Sequence, residues 1–220
     1  GVTRRSVMNF GSFGTSFGSF GSSISDGVYA GSFDGTNDFA EFALGSFNQS
    51  SWNVKTTIKV KSLSAIGDVF SQSAGTGTGK GWLRIETNGS CKTFLGGSTV
   101  TIASAGSIVV DTKYDLELDY DASSTTFVFK IDGVTQYTNT SFNPVAASGD
   151  FNFMIGHNQG AAELRGVAYS MQVTAGSSST TVSFNKRSGT TLTDSSGNNN
   201  NGTLQNITES TFWVRVTGSE

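Results

Sequence analysis

The amino-acid sequence predicts an all-β chain, an antiparallel two-sheet sandwich or jelly roll, and three observations carry that prediction. Between residues 28 and 173, apolar and polar residues alternate with period two in short runs punctuated by glycine, the pattern of half-buried strands. No convincing amphipathic helix is found. One hairpin can be paired by hand so that both of its strands agree on the buried face. Many short strands with turn residues between them bury their apolar faces by packing sheet on sheet.

In chain order, the first runs are residues 28–33 and 39–43, joined by the polar stretch "DGTND". "WNVKTTIKVKSL" is the cleanest strand. Trp52, Val54, Thr56, Ile58 and Val60 fall on one face and Lys55, Thr57, Lys59 and Lys61 on the other, as a sheet with one wet side requires. Further runs lie at 67–72, 82–87 and 108–110. In "KYDLELDYDASSTTFVFKIDG", a turn at 122–125 places Leu116, Leu118 and Tyr120 opposite Ile131, Phe129 and Phe127, and Glu117 opposite Lys130. Such agreement between register and hydrophobicity pins a hairpin. Runs at 151–155, 166–173 and 181–184 follow, and "TFWVRV" near the C-terminal end is strand-like as well.

Composition narrows the function classes. The 220 residues carry 14 Lys+Arg against 17 Asp+Glu, a formal charge of −3, so no basic stripe is present to neutralise a row of phosphates, and nucleic acid is not an expected partner. Runs such as "SIVV" are far shorter than the roughly 20 apolar residues of a spanning helix, so membrane insertion is not expected. A single Cys91 cannot form an internal disulfide, and a single His157 gives no cluster for a zinc site. "GTGTGKG" lacks the Gly-Lys-Ser/Thr ending of a phosphate loop. No motif sets His157 beside Cys91 or a serine for nucleophilic catalysis. Asn48, Asn88, Asn139, Asn201 and Asn206 head Asn-x-Ser/Thr triplets; in a chain this rich in Asn, Ser and Thr about four arise by chance, so they do not indicate a compartment.

Three segments resemble the laminin-G-like, concanavalin-A-like jelly rolls, a lectin and glucanase superfamily also found in phage fibre, virion and adhesin proteins. "YAGSFDGTNDFAEF" resembles their opening hairpin, "YDLELDYDASSTTFVFKIDGV" their central hairpin with its Asp-Gly turn, and "FNFMIGHNQGAAELRGVAYSMQV" their closing strands. The likeness covers residues 28–173, about two thirds of the chain. One departure stands out. A stretch like "SGTTLTDSSGNNNNGTLQN" often precedes the Phe-Asp-Gly hairpin in such proteins, whereas here it follows everything else. Residues 177–220 are therefore expected to supply permuted strands that complete a jelly roll spanning 26–220, on their own subunit or on a neighbour.

The resemblance also implies chemistry. Glu117, Asp119 and Asp121 resemble the carboxylate row of laminarinase-type glucanases, where one carboxylate attacks the anomeric carbon and another protonates the leaving oxygen. Here the hairpin register turns these acids away from the buried face and sets Lys130 opposite Glu117, and no apolar pocket is evident to raise a pKa. A solvated acidic face is the expected reading. Asp34, Asn37 and Asp38 offer the oxygen ligands that calcium prefers, and some relatives bind calcium near such loops; the same residues also suit a tight turn for local reasons. Trp82, Tyr114 and Tyr137 are aromatics of the kind that sugar sites use, and none stands out.

The N-terminal residues 1–25 read differently. "NFGSFGTSFGSFGSS" spaces Phe10, Phe13, Phe17 and Phe20 like a helical stripe, but Gly11, Gly14 and Gly18 would each cost a helix about 1 kcal/mol relative to Ala. Burying four Phe is worth on the order of 6–12 kcal/mol, less than the cost of ordering some fifteen residues at roughly 1–2 kcal/mol each. An extended assembly arm that docks in a preformed groove of another subunit is expected. The resulting expectation is a non-catalytic lectin-like subunit of a multi-copy extracellular or virion-surface assembly, binding glycan or attaching to a host and contacting copies of itself or other subunits. The alternatives are a purely structural capsid, decoration or fibre subunit, and a laminarinase-type glycoside hydrolase.

Overall fold

A computed structural model describes residues 28–44, 50–72, 82–94, 98–143, 151–154, 164–175 and 178–216. Phe10, Phe13, Phe17 and Phe20, His157, Asn48 and the "GTGTGKG" stretch lie outside the described residues.

Among the described residues, sixteen strands form two antiparallel sheets. The first sheet holds β1 (Val28–Phe33), β3 (Trp52–Val60), β8 (Lys113–Asp121), β9 (Thr126–Ile131), β10 (Val134–Asn139), β12 (Gly166–Ala175), β13 (Ser178–Ser183) and β16 (Trp213–Val216). Its order is β10-β9-β8-β3-β12-β1-β16, with β13 also paired to β12. The second sheet holds β2 (Phe39–Phe42), β4 (Gly67–Gln72), β5 (Trp82–Ile85), β6 (Cys91–Thr93), β7 (Val100–Ala103), β11 (Phe151–Phe153), β14 (Thr191–Leu192) and β15 (Gly202–Gln205). Its order is β14-β15-β2-β11-β4-β5-β6-β7. A four-residue helix, α1 (Glu209–Phe212), precedes β16.

Local alternation decides β3, β8 and β9. On β3, Trp52, Val54, Thr56, Ile58 and Val60 are all buried. The β8–β9 hairpin has the register that its hydrophobicity demands: Leu116 opposite Ile131, Leu118 opposite Phe129, Tyr120 opposite Phe127 and Glu117 opposite Lys130. The wet face of β3 is not uniformly wet, because Lys59 lies between Lys113 of β8 and Val167 of β12 and is only 5% exposed.

Residues 108–110 depart from expectation. They form no strand: Ile108 is buried while Val109 and Val110 point outward, and the Ile108 amide donates to Gly89 O rather than to a ladder. Five strands carried no usable alternation and were not expected: the short β6, β7, β14 and β15, and the edge strand β10, whose residues are mostly exposed.

The C-terminal strands pair within their own chain. β16 flanks β1, β15 flanks β2 with β14 beyond it, and β13 runs along β12 from Ser170 to Ala175 on the edge that β1 uses from Gly166 to Ala168. Apolar side chains hold them there. Phe33 makes edge-to-face contacts with Phe153, Phe184 and Phe212 at centroid distances of 6.0, 5.9 and 5.0 Å, a geometry that adds to area burial. Gly31 on β1 makes room for this cluster, since a Cβ there would sit 2.8 Å from the Phe212 ring and 2.9 Å from Phe184.

The "DSSGNNNNG" stretch closes the outer edge of β13. Asp194 accepts hydrogen bonds from the Thr181, Ser196 and Asn200 amides and the Ser196 hydroxyl, while Ser195 N and the Asn200 side chain donate to Thr181 O and Ser179 O. Side chains and loop amides thus satisfy backbone groups that a neighbouring strand would otherwise pair.

Candidate functional site

The outer face of the first sheet presents polar side chains in rows that cross five strands. Because the pairs are in register, Lys130, Glu117, Lys55, Gln172 and Thr181 line up across β9, β8, β3, β12 and β13. Beside them run Asp115, Thr57 and Ser170 on one flank and Asp119, Asn53 and Thr174 on the other. A groove of about 430 Å³ follows these rows, with Lys55, Thr57, Asp115, Glu117, Ser170 and Gln172 along it. The β12 bulge around Tyr169 keeps Ser170 opposite Thr57 and so brings its hydroxyl into the groove.

Glu117 is ion-paired on both sides. Glu117 Oε1 accepts from Asn53 Nδ2 at 3.0 Å and lies 3.2 Å from Lys55 Nζ, while Oε2 lies 3.4 Å from Lys130 Nζ. Partial burial pushes the Glu117 carboxyl up, but the hydrogen bonds from Asn53 and Lys55 and the charges of Lys55 and Lys130 outweigh it and hold the group below its ordinary value. The same Asn53 amide reaches Asp119 Oδ1 at 3.0 Å. Asp121 turns into the hairpin loop, where the Ser123 and Ser124 hydroxyls and the Ser123 amide hold it below the usual carboxylate range. A glycosidase pair needs one carboxyl kept protonated as the acid. Neither Glu117 nor Asp121 is placed for that.

The structure brings Asp34, Asn37 and Asp38 together in the β1–β2 turn, where Gly35 takes φ +76°. Asp34 Oδ1 accepts from the Thr36 amide at 2.7 Å, Asp38 Oδ2 accepts from the Asp34 amide at 3.3 Å, and Asn206 Nδ2 donates to Asn37 O. Asp38 is buried, and desolvation together with the Asp34 charge raises its pKa despite that backbone hydrogen bond. A small polar cleft of about 190 Å³ adjoins the turn, lined by Asp34, Ser62, Ser64 and Arg165. With one oxygen of each carboxylate engaged by a turn amide, the two remaining carboxylate oxygens and the Asn37 side chain supply about half of the six to eight oxygens that calcium takes. Among the described residues, no group of three or more His, Cys, Asp and Glu is placed to hold a metal.

Of the aromatic candidates, the Trp82 side chain lies outside the described residues, and Tyr114 and Tyr137 have separate partners. Tyr114 accepts the Val109 amide through its hydroxyl, and Tyr137 packs on Phe127 with centroids 6.1 Å apart. Cys91 is fully buried, and desolvation pushes its thiol up to about 12, so it is no nucleophile. Lys55, Thr57, Ser170 and Gln172 were not singled out from the sequence; the only signal they gave was the polar parity of β3 and β12, which marks a face but not which strands share it. Among the described residues, no helix is long and apolar enough to cross a membrane.

No protein-family model and no curated protein matches the chain. Solved structures do. A candidate carbohydrate-binding protein from Bacteroides ovatus superposes with a TM-score of 0.64 at 16% identity over 86% of this chain, which spans 60% of that protein. Domains LG4-5 of the mouse laminin α1 chain align at a TM-score of 0.52 and 12% identity, over 72% of this chain and 43% of that one. The heptameric SAP-like pentraxin of Limulus polyphemus aligns at a TM-score of 0.50 and 13% identity, over 68% and 77% of the two chains. At such identities the likeness is one of architecture, and with the two eight-stranded antiparallel sheets already described it shows that the described residues share the two-sheet jelly-roll fold of these proteins.

Proposed function

We propose that this chain is a non-catalytic, lectin-like jelly-roll subunit of a multi-copy extracellular or virion-surface assembly, binding glycan or attaching the assembly to a host. The observation that carries the reading is the groove on the first sheet, where hydroxyl, amide, ammonium and carboxylate groups from adjacent strands converge, with Glu117 paired to Lys55 and Lys130. Saccharides present closely spaced groups that both donate and accept, and a mixed polar lining of this kind meets them. The Bacteroides neighbour described as carbohydrate-binding and the heptameric pentraxin are consistent with glycan recognition and multi-copy use.

The test is a glycan array probed with the full chain, alongside reducing-sugar release from β-glucans. Retention of a defined set of glycans without hydrolysis is expected. Retention of none overturns the reading in favour of a purely structural brick; hydrolysis that vanishes in Glu117→Gln moves the protein to the glucanases. For assembly, deletion of residues 1–25, with Phe10, Phe13, Phe17 and Phe20, should leave a soluble sandwich that sediments as a smaller species. Unchanged sedimentation removes the arm from assembly.

The same reading assigns calcium to Asp34, Asn37 and Asp38. Calorimetric titration of the wild type with calcium should give a heat signal that Asp34→Ala removes. A signal unchanged in the variant places the ion elsewhere, and none in the wild type leaves these residues to the turn alone.

A further inference from the structure

We propose that the groove takes an uncharged saccharide, gripped along an edge of adjacent hydroxyls rather than stacked on an aromatic ring. This rests on the glycan-binding reading and narrows it to a ligand class and a set of contacts. The direction of the hydrogen bonds is the first argument. Ser170 Oγ donates to Thr57 Oγ1 at 3.1 Å, and Thr57 Oγ1 donates to Asp115 Oδ1 at 2.6 Å. That relay spends the protons of both hydroxyls inward, so Ser170 Oγ and the second oxygen of Asp115 face the groove as acceptors.

On the adjacent row, Lys55 is half exposed and presents donors. Gln172 is exposed and its amide makes no hydrogen bond among the described residues, leaving both a donor and an acceptor. Lys55 and Asp115 are diagonal neighbours on one face, because Thr57 stands opposite Asp115 and Lys55 opposite Glu117. Such neighbours lie within reach of a common ligand. One ligand hydroxyl can donate to Asp115 or Ser170 while the next accepts from Lys55 or Gln172. The volume, about 430 Å³, is in the range of small-molecule clefts.

Charge gives the second argument. Lys55 and Lys130 share the Glu117 carboxylate, whose side chain is 21% exposed. An anionic sugar that recruits Lys55 would have to share its ammonium with Glu117, and it would meet the Asp115 and Glu117 carboxylates beside it. Like charges set so close offset the attraction of the ammonium. A neutral ligand leaves the pairs intact. Among the described residues no aromatic lines the groove, so the contacts it offers are hydrogen bonds rather than ring stacking.

The experiment probes an array of neutral glucan, galactan and mannan oligosaccharides beside sialylated and sulfated counterparts, using the wild type, Gln172→Ala and Thr57→Val, with the folds of both variants verified by circular dichroism. Neutral glycans should be retained alone, with affinity unchanged from low to high salt, and each substitution should weaken binding by roughly 5- to 10-fold, the worth of one hydrogen bond. Retention dominated by anionic glycans, salt-sensitive binding, or neutral binding untouched in both variants overturns the inference while leaving glycan recognition standing. Retention of no glycan overturns both.

Discussion

Phe33→Ala is expected to lower the stability of the domain by about 3–5 kcal/mol, the cost of emptying a large aromatic site in a packed core. Phe33 is 1% exposed and touches rings from three separate parts of the chain: Phe153 of β11, Phe184 just after β13, and Phe212 of α1. The loss is a large fraction of the 5–15 kcal/mol that stabilises an ordinary domain. It should appear in urea denaturation as a lower midpoint with an unchanged slope. Removal of residues 178–216 should be worse, since it takes away Phe184 and Phe212 together with the strands that flank β1, β2 and β12. A truncated chain that still unfolds cooperatively, or a Phe33→Ala loss below about 1 kcal/mol, the size of an ordinary substitution, would show that the C-terminal segment is not integral to the core.

The second large effect is expected at Asp194, through pH as well as mutation. Its carboxylate accepts from the amides of Thr181 at 2.9 Å, Ser196 at 2.8 Å and Asn200 at 3.0 Å. Burial pushes the group up, but these bonds and the Ser196 hydroxyl outweigh it and hold the pKa at about 2, against 3.8 ordinarily. A depressed acid stabilises the fold above its unfolded pKa and loses that contribution as pH falls through the folded one. The window therefore runs from about pH 4 down to about pH 2 and is worth on the order of 2 kcal/mol. Asp194→Ala should cost about 1–3 kcal/mol at neutral pH, because three part-buried amides lose a charged acceptor, and should flatten the acid limb of the stability curve. Asp194→Asn should fall between. An unchanged acid limb in Asp194→Ala would assign the acid sensitivity to the other carboxylates held below their ordinary values, Glu117, Asp111 and Asp121.

The sequence by itself determined the strands whose alternation is local and strong. Period-two burial is a property of a few consecutive residues, so β3 and the β8–β9 hairpin with its register could be read from the chain alone, as could the outward turn of Glu117, Asp119 and Asp121. Short strands such as β6 and β14, with three and two residues, hold too few positions to show a period. Only the tertiary structure decided which strands became neighbours. Nothing within residues 178–216 states that β13 shares an edge of β12 with β1, or that β15 and β16 flank the opening hairpin; those pairings are settled by the burial of Phe184, Phe212 and Leu204 against residues far away in the chain. The groove has the same origin. Asp115, Thr57 and Ser170 belong to three strands and meet through pairing across more than fifty residues, so each carries its chemistry in the sequence while their convergence exists only in the assembled sheet.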